Sequence, residues 1–418
     1  MFLLYLIFFS SIIFSMRALS SISIAALLLS SLILNKLKTG GFFNKTIINL
    51  FAISCLVFYL LQFAGLLYTH NTDHQWHAIR LKSSLFFIPL AVSCYDFLDQ
   101  KIRSDLLIGY CLLLFAAALY CLTAALVHYT SHQNDEVFFY HGLVKPLQQH
   151  AIQFSILVFI ALLFLFENLR KDRVVLSKYL HILLLIFFTG FLILLSSKLI
   201  IALYFVYLLY FLFSLFRRKT NNLWIGIIST SAILSITAVV FITKNPISQR
   251  FNEVIKGDIN FTRQKKFTPG DYFTGLQFRL LQWRFVSEIL TEENAWVYGV
   301  TTADAQQKLD EKYISENMYI GELYRNDRGF LGYNTHNQLL GSLLQSGIIG
   351  GIVFLVICFS MIKMAWVKKN RLLSLVVIVL LLYSFSESVF ESQYSLLIFI
   401  FFPLFLYSKE AQTNEKHS

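Results

Sequence analysis

The chain has 418 residues, 56% of them hydrophobic, with 42 Phe, only 5 Pro and a formal net charge of +11. A mean hydropathy of +0.62 excludes an ordinary soluble domain and places the chain among polytopic membrane proteins. The positive charge lies mostly in short connections between apolar runs, which is a topology signal and gives little support to nucleic-acid binding.

Apolar runs of the roughly 17 to 25 residues that cross a hydrocarbon core of about 30 Å lie near 2-16, 18-35, 46-68, 83-98, 105-127, 151-168, 180-196, 199-216, 222-242, 337-362, 371-387 and 393-408. They predict an all-α integral membrane protein with about twelve transmembrane helices. The first run lacks a basic n-region and an A-x-A site, so it reads as a retained helix and not a signal peptide. With the N-terminus inside, the inner connections carry eighteen Lys and Arg and the short outer ones five, namely Arg17, Arg80, Lys82, Lys145 and Lys198. That asymmetry puts the segment from 244 to 335, whose twelve basic residues are balanced by twelve acidic ones, on the outward side. The chain thus divides into helices one to nine (1-243), an outward loop domain (244-335), and helices ten to twelve with a tail (336-418). Cys55, Cys94, Cys111, Cys121 and Cys358 all fall in or at the ends of predicted spans and imply no disulfide framework.

Candidate functional residues cluster at outer boundaries. His70, Asp73, His74 and His77 would line one helical face at metal-ligand spacing, although interfacial loop histidines are commoner and no metal site is expected. Arg80 and Lys82 follow on the same outer side, where they could add to an anion site. His150 begins a span from outside and is a possible base or acceptor contact. Lys198, in LSSKLII between two apolar runs, is a cation where cations are expensive; a turn lysine snorkelling to water is the plainer reading.

Within the outward loop, Leu276, Leu280, Trp283, Val286 and Leu290 recur at helical spacing and predict an amphipathic helix near 274-290. Arg279 shares a face with Trp283, whereas Arg284 sits about 140° round the helix from Arg279 and should point elsewhere. A second helix is expected over 302-316. The loop ends in YNTHNQLLGSLLQSGIIGG (333-351), which places His336 and Asn337 where a polar segment meets an apolar run. Asn337 can cap that helix, and an imidazole at a water-lipid boundary suits proton removal near neutrality. Glu387 and Glu391, four apart, would share a helix face at the outer start of the last span.

The string from His336 to Gly350 resembles the H-N-x-x-L-x-x-L-x-x-x-G-x-x-G signature of the O-antigen ligase and O-antigen polymerase superfamily of bacterial membrane glycosyltransferases. FRLLQWR (278-284) resembles the R-x-x-x-W helix of that family's periplasmic loop. YGVTTADAQ (298-306) is similar to its G-V-G-x-G-D turn, with Thr301 and Ala303 in place of two glycines, and SFSESVFESQ (384-393) to its acidic patch before the last span. LSSKLII resembles its S-R-G element, with lysine replacing arginine and losing the bidentate fork.

The resemblance implies an enzyme of the bacterial inner membrane whose site faces the periplasm. It would transfer a glycan en bloc from undecaprenyl diphosphate to a hydroxyl of lipid A-core, with inversion and without metal or other cofactor. An alternative is a polymerase that uses a second lipid-linked repeat as acceptor. In either, His336 is expected to be the base, with Asn337, His150, Glu387 and Glu391 as accessory groups. Arg279, Lys198, Arg80 and more weakly Arg284 are expected to hold the diphosphate, because fixed cations stabilise such a leaving group. The partners implied are the lipid-linked donor, a glycan acceptor and membrane lipids, with no nucleic acid. A transporter or flippase is the alternative of another class; it should carry internal repeats and broken helices, and the sequence suggests neither.

Overall fold

The computed structural model describes residues 1–42, 49–94, 98–170, 176–219, 259–322 and 327–407, and the ninth expected span (222-242) lies outside them. Among the described residues the fold is all-helical. The α-helices are α1 (Phe2–Ile13), α2 (Arg17–Thr39), α3 (Leu50–Ala64), α4 (Thr72–Lys82), α5 (Ser84–Ser93), α6 (Gln100–His132), α7 (Tyr140–Val144), α8 (Ala151–Arg170), α9 (Lys178–Leu194), α10 (Lys198–Lys219), α11 (Gly275–Glu292), α12 (Thr302–Ser315), α13 (Gln338–Lys368), α14 (Arg371–Ser384) and α15 (Gln393–Tyr407).

Five segments among these are long and apolar enough to cross a membrane: α2, α3 with its following turn, α6, α8 and α13. The expected count of about twelve spans is not matched in this way. Helix α1 has 12 residues and α5 has 10, or about 18 and 15 Å at 1.5 Å per residue, too short to cross alone. Helix α5 instead wedges against α2, α3 and α15. Helix α8 is buried on all sides, as an evenly apolar helix should be, and an aromatic cluster of Tyr5, Phe8, Phe9, Phe401 and Phe405 locks α1 to α15.

Polar residues gather at the two ends of this bundle. At one end Glu167 accepts from Arg170 at 3.0 Å, pairs with Arg371 at 2.9 Å and accepts from the Tyr207 hydroxyl at 3.1 Å, while Arg103 donates to the Leu406 carbonyl at 3.2 Å. These basic groups are among those the sequence assigns to the inner side. At the other end the residues from 259 onward form a cap. Helices α11 and α12 fall within two residues of the expected ranges, and α11 begins with a capping box between Thr274 and Gln277. Phe267, Phe273, Phe278, Leu281, Phe285, Leu309 and Tyr313 make the core of the cap, and Leu340 and Leu344 of α13 complete it. The cap's core therefore reaches past residue 335 into the helix that follows.

Helix α13 is broken. Ser346 (φ −136°, ψ 18°) and Gly347 (φ 61°, ψ −160°) are non-helical, so its first half belongs to the cap and its second half, with Phe354 and Ile357, to the membrane core. A break in apolar surroundings exposes carbonyls and amides that must find partners. Residues 296–301 supply them: Val300 and Thr301 N–H donate to the Leu344 and Gln345 carbonyls at 2.8 and 3.1 Å, and Ile348 N–H donates to the Trp296 carbonyl at 2.8 Å. This discontinuity is the feature the sequence did not suggest, because Ser-Gly inside an apolar run reads as continuous helix. Its groups bond to backbone and do not line an open path.

Two glycines permit the crossing. A Cβ on Gly347 would strike the backbone of Val297 and Tyr298, and one on Gly299 (φ 75°) the backbone of Gln345, Ser346 and Gly347. Gly347→Ala is expected to cost at least about 1–3 kcal/mol from backbone strain alone and to lower the melting temperature in detergent. Gly190→Ala, with open space at its Cβ position, is the control; equal melting of the two variants would show that segment 296–301 is not seated on the break.

Candidate active site

The stretch from Thr335 to Gln338 aims one side chain out and fixes the others. Asn337 caps α13, accepting from the Leu340 N–H at 3.1 Å, and donates to the Phe385 carbonyl at 3.1 Å. The Thr335 and Ser388 hydroxyls lie 3.0 Å apart, and the buried Gln338 side chain accepts from the Phe390 N–H at 2.7 Å. Three contacts, from Thr335, Asn337 and Gln338, thus bind the entry to α13 to the turn between α14 and α15. Asn337 is therefore a cap and a clamp together, and the residue left to face the cavity is His336.

His336 has φ +45°, a left-handed conformation uncommon outside glycine, asparagine, aspartate and histidine. Its N–H is held by the Asn334 side chain at 3.0 Å. The imidazole Nδ1 lies 3.0 Å from the Glu387 carboxylate, and the ring packs against Phe278 and Tyr333. A carboxylate only accepts, so this contact makes Nδ1 the protonated nitrogen and leaves the lone pair on Nε2.

Glu387 also faces Arg279, whose guanidinium is 3.6 Å from its other oxygen and donates to the Ser386 carbonyl at 3.1 Å. The Arg279 side chain is 40% exposed, although its Nε is buried without a hydrogen-bond partner. His336, Glu387, Arg279 and Lys198 line one cavity of about 810 Å³, whose walls include Tyr140, Tyr272, Tyr319 and Phe330. Residues from α10, α11, the entry to α13 and the α14–α15 turn converge there. His150 stands beside it, against His141. Desolvation holds the His150 pKa below the ordinary imidazole value, Glu387 partly opposes this, and the neighbouring His336 imidazole adds to it.

Three expected site residues go elsewhere. Arg284 donates to the Thr262 and Gln264 carbonyls at 2.9 and 2.5 Å, pairs with Glu288 and Glu316 and lies over the Phe285 ring. It is built into the cap, as its position round α11 requires. Arg80 lines a second cavity and not that of His336. Glu391 does not share a face with Glu387, because 385–392 is a turn and not a helix. It accepts from the Gln345 side chain and lies 4.0 Å from Lys82.

Lys82, which could have joined Arg80 in an anion site, is instead buried. Its ammonium donates to Gln345, Gln62 and Thr302 at 2.7, 3.2 and 3.2 Å. Burial lowers its pKa below the usual lysine value and Glu391 opposes that shift. The cation ties α3, α12, the break in α13 and the α14–α15 turn together. Of the neighbouring histidines, the His70 backbone N–H donates to Asp304 at 3.0 Å, the His74 ring meets Asn71, and His77 lines the second cavity.

Sequence reasoning also missed a relay through the cap. Gln282 donates to the Tyr313 hydroxyl at 2.8 Å, and that hydroxyl donates to the Tyr333 carbonyl at 2.7 Å, which seats both cap helices three residues from His336. Gln282 lies on the buried face of α11 with Phe278, Leu281 and Phe285, which is not the face that the spacing of Leu276, Leu280 and Trp283 marks, so the sequence held no signal for it. Thr301 has φ +73°, a glycine-favoured conformation at a position where the resembling motif has glycine. Its hydroxyl donates to Asp304 at 2.9 Å, which compensates part of the strain.

No curated protein matches the chain. Residues 182–355, which run from α9 through Lys198, Arg279 and His336 to the second half of α13, match the model of the O-antigen ligase family. Over that stretch, less than half of its length, this apolar-helical chain is similar to the O-antigen ligase family.

Proposed function

We propose that the protein is an O-antigen ligase-like glycosyltransferase that moves a glycan en bloc from undecaprenyl diphosphate to a hydroxyl of lipid A-core at the periplasmic face of the inner membrane. The observation that carries this reading is the His336–Glu387 pair beside Arg279 and Lys198 in one cavity at the cap end of the bundle. Transfer from a lipid diphosphate needs a base for the attacking hydroxyl and cations for the departing diphosphate. Nε2 of His336 would take the hydroxyl proton as the acceptor oxygen attacks the anomeric carbon from the face opposite the diphosphate. The C–O bond to the diphosphate breaks with its electron pair going to that group, and the configuration inverts. Arg279 and Lys198 would hold the accumulating charge.

The break in α13 is the one observation that leans toward transport, but its backbone groups are bonded to residues 296–301, which makes it a poor ion or substrate path. Ligase and polymerase share this chemistry and differ in acceptor. The deciding experiment is the glycan pattern of a deletion strain. Loss of all long lipid A-linked chains with polymer accumulating on the carrier supports the ligase, and lipid A-core bearing one repeat supports the polymerase.

Orientation is tested separately. All five native cysteines are buried, so a cysteine introduced in the cap at exposed Gln307 or Ser315 should report alone. We expect an impermeant thiol reagent to label it in intact spheroplasts. Labelling only after lysis would reverse the topology and remove the periplasmic donor with it.

A further inference from the structure

A second cavity, also of about 810 Å³, lies between α2, α4, α5 and the start of α15. Its two ends differ in chemistry. Ile24, Leu28, Leu29 and Phe87 make an apolar wall, and Leu29 and Phe87 are 60% and 40% exposed, so the wall opens sideways toward the hydrocarbon. Arg17, Arg80 and His77 stand at the other end with the hydroxyls of Ser21 and Ser84.

The charge there is not neutralised from within the protein. Among the described residues neither Arg17 nor Arg80 forms an ion pair. The one carboxylate among the described residues that line this cavity, Glu391, is engaged by Gln345 and Lys82. Arg17 is also the first residue of a 23-residue helix with no acidic residue in its first turn, an end where the helix dipole disfavours a cation and favours an anion. Beside it the buried Tyr394 hydroxyl interacts with Arg17 and has no other hydrogen-bond partner among the described residues. Two guanidinium groups, a helix N-terminus and spare hydroxyl capacity at the head of an apolar groove fit one class of ligand.

We infer that this cavity binds a membrane lipid with an anionic phosphate headgroup, the phosphate held between Arg17 and Arg80 and one hydrocarbon chain lying along Ile24, Leu28 and Phe87. The site is distinct from the one that holds His336. The two cavities flank opposite ends of one turn, with Glu387 on the first and Glu391 on the second, so the lipid would support the segment that positions the catalytic pair. This inference rests on the second cavity alone and does not require the proposed reaction.

The test is native mass spectrometry of the full-length protein in detergent, with phosphatidylglycerol or phosphatidylcholine of identical chains as probes. One phosphatidylglycerol should be retained in preference to phosphatidylcholine. The double variant Arg17→Ala/Arg80→Ala should weaken that retention by at least about tenfold, as expected for loss of two charge-assisted contacts. Ala25→Trp, which fills the groove without touching the charges, should also abolish it, and serves alone if the double variant does not fold. Arg279→Ala should leave it intact.

Equal retention of the two lipids, or undiminished phosphatidylglycerol in Ala25→Trp, would overturn the inference. Loss in Arg279→Ala but not in the cavity variants would place the lipid in the other cavity. Competition by inorganic phosphate at concentrations similar to those of the lipid would make this a soluble-anion site and overturn the lipid assignment.

Discussion

His336→Ala is expected to abolish glycan transfer while the protein stays folded and keeps its lipid diphosphate donor. In the proposed reaction the imidazole is needed only when the acceptor hydroxyl attacks, so its loss should appear in turnover and not in donor affinity. General-base catalysis is worth about 10²–10⁴ in rate, and the variant should fall at least that far. Removing the ring disturbs little packing, because it is part-exposed and its backbone is held by Asn334. Glu387→Gln sharpens the test. An amide at this position can donate to Nδ1, which would favour the tautomer with the proton on Nε2 and leave no lone pair for the acceptor. Its rate should therefore approach that of His336→Ala, although charge at only one side chain has changed. Both variants are to be assayed as purified protein, with donor binding and product formation measured separately. Near-normal turnover of His336→Ala at pH 7 would reduce His336 to a structural role and move attention to His150. Full activity of Glu387→Gln would show that Glu387 only pairs with Arg279.

Part of this arrangement is legible in the sequence because it depends on a helix's own geometry. The separation of Arg279 from Arg284 follows from 100° per residue, and apolar spacing locates α11, but it assigns Leu276 and Trp283 to the apolar face, whereas they are exposed and Phe278, Leu281, Phe285 and Ile289 face the core of the cap. The prominence of His336 follows from its place at a polar-apolar boundary. What periodicity cannot reveal is which neighbour an element meets. Glu387 lies 51 residues from His336, and its pairing depends on three contacts that clamp the α14–α15 turn. The same turn separates Glu387 from Glu391, whose spacing of four suggested a common face only on the premise of a helix. Lys82 and Arg80 are two apart and look equivalent in sequence. One is buried against Gln62, Thr302 and Gln345 and the other opens into a separate cavity, because successive positions on α4 point in different directions. The break in α13 was hidden for another reason. Its stability comes from residues 296–301, remote in the chain, whose backbone replaces the missing helical bonds.

Arg279→Ala and Arg284→Ala should separate chemistry from architecture within one helix turn and a half. Arg279 lines the cavity with its side chain 40% exposed. Its removal is expected to cut transfer by a factor of about 100 or more, the scale of losing a transition-state charge contact, with little change in melting temperature. Arg279→Lys should recover only part of this, since an ammonium keeps the charge but not the fork. Arg284 is spent inside the cap on two carbonyls, two carboxylates and an aromatic face. Arg284→Ala leaves Glu316 without that cation and the Thr262 and Gln264 carbonyls without this donor, so it should lower the melting temperature and the yield of membrane-inserted protein. Turnover per folded molecule should stay within a few-fold of wild type, because nothing in the cavity is altered. Measuring melting temperature and turnover on the same purified samples keeps the two effects apart. The reverse pattern, with Arg284→Ala folded but inactive and Arg279→Ala active, would mean that the cap turns its other face to the substrate, and the diphosphate site would have to be rebuilt around Arg284.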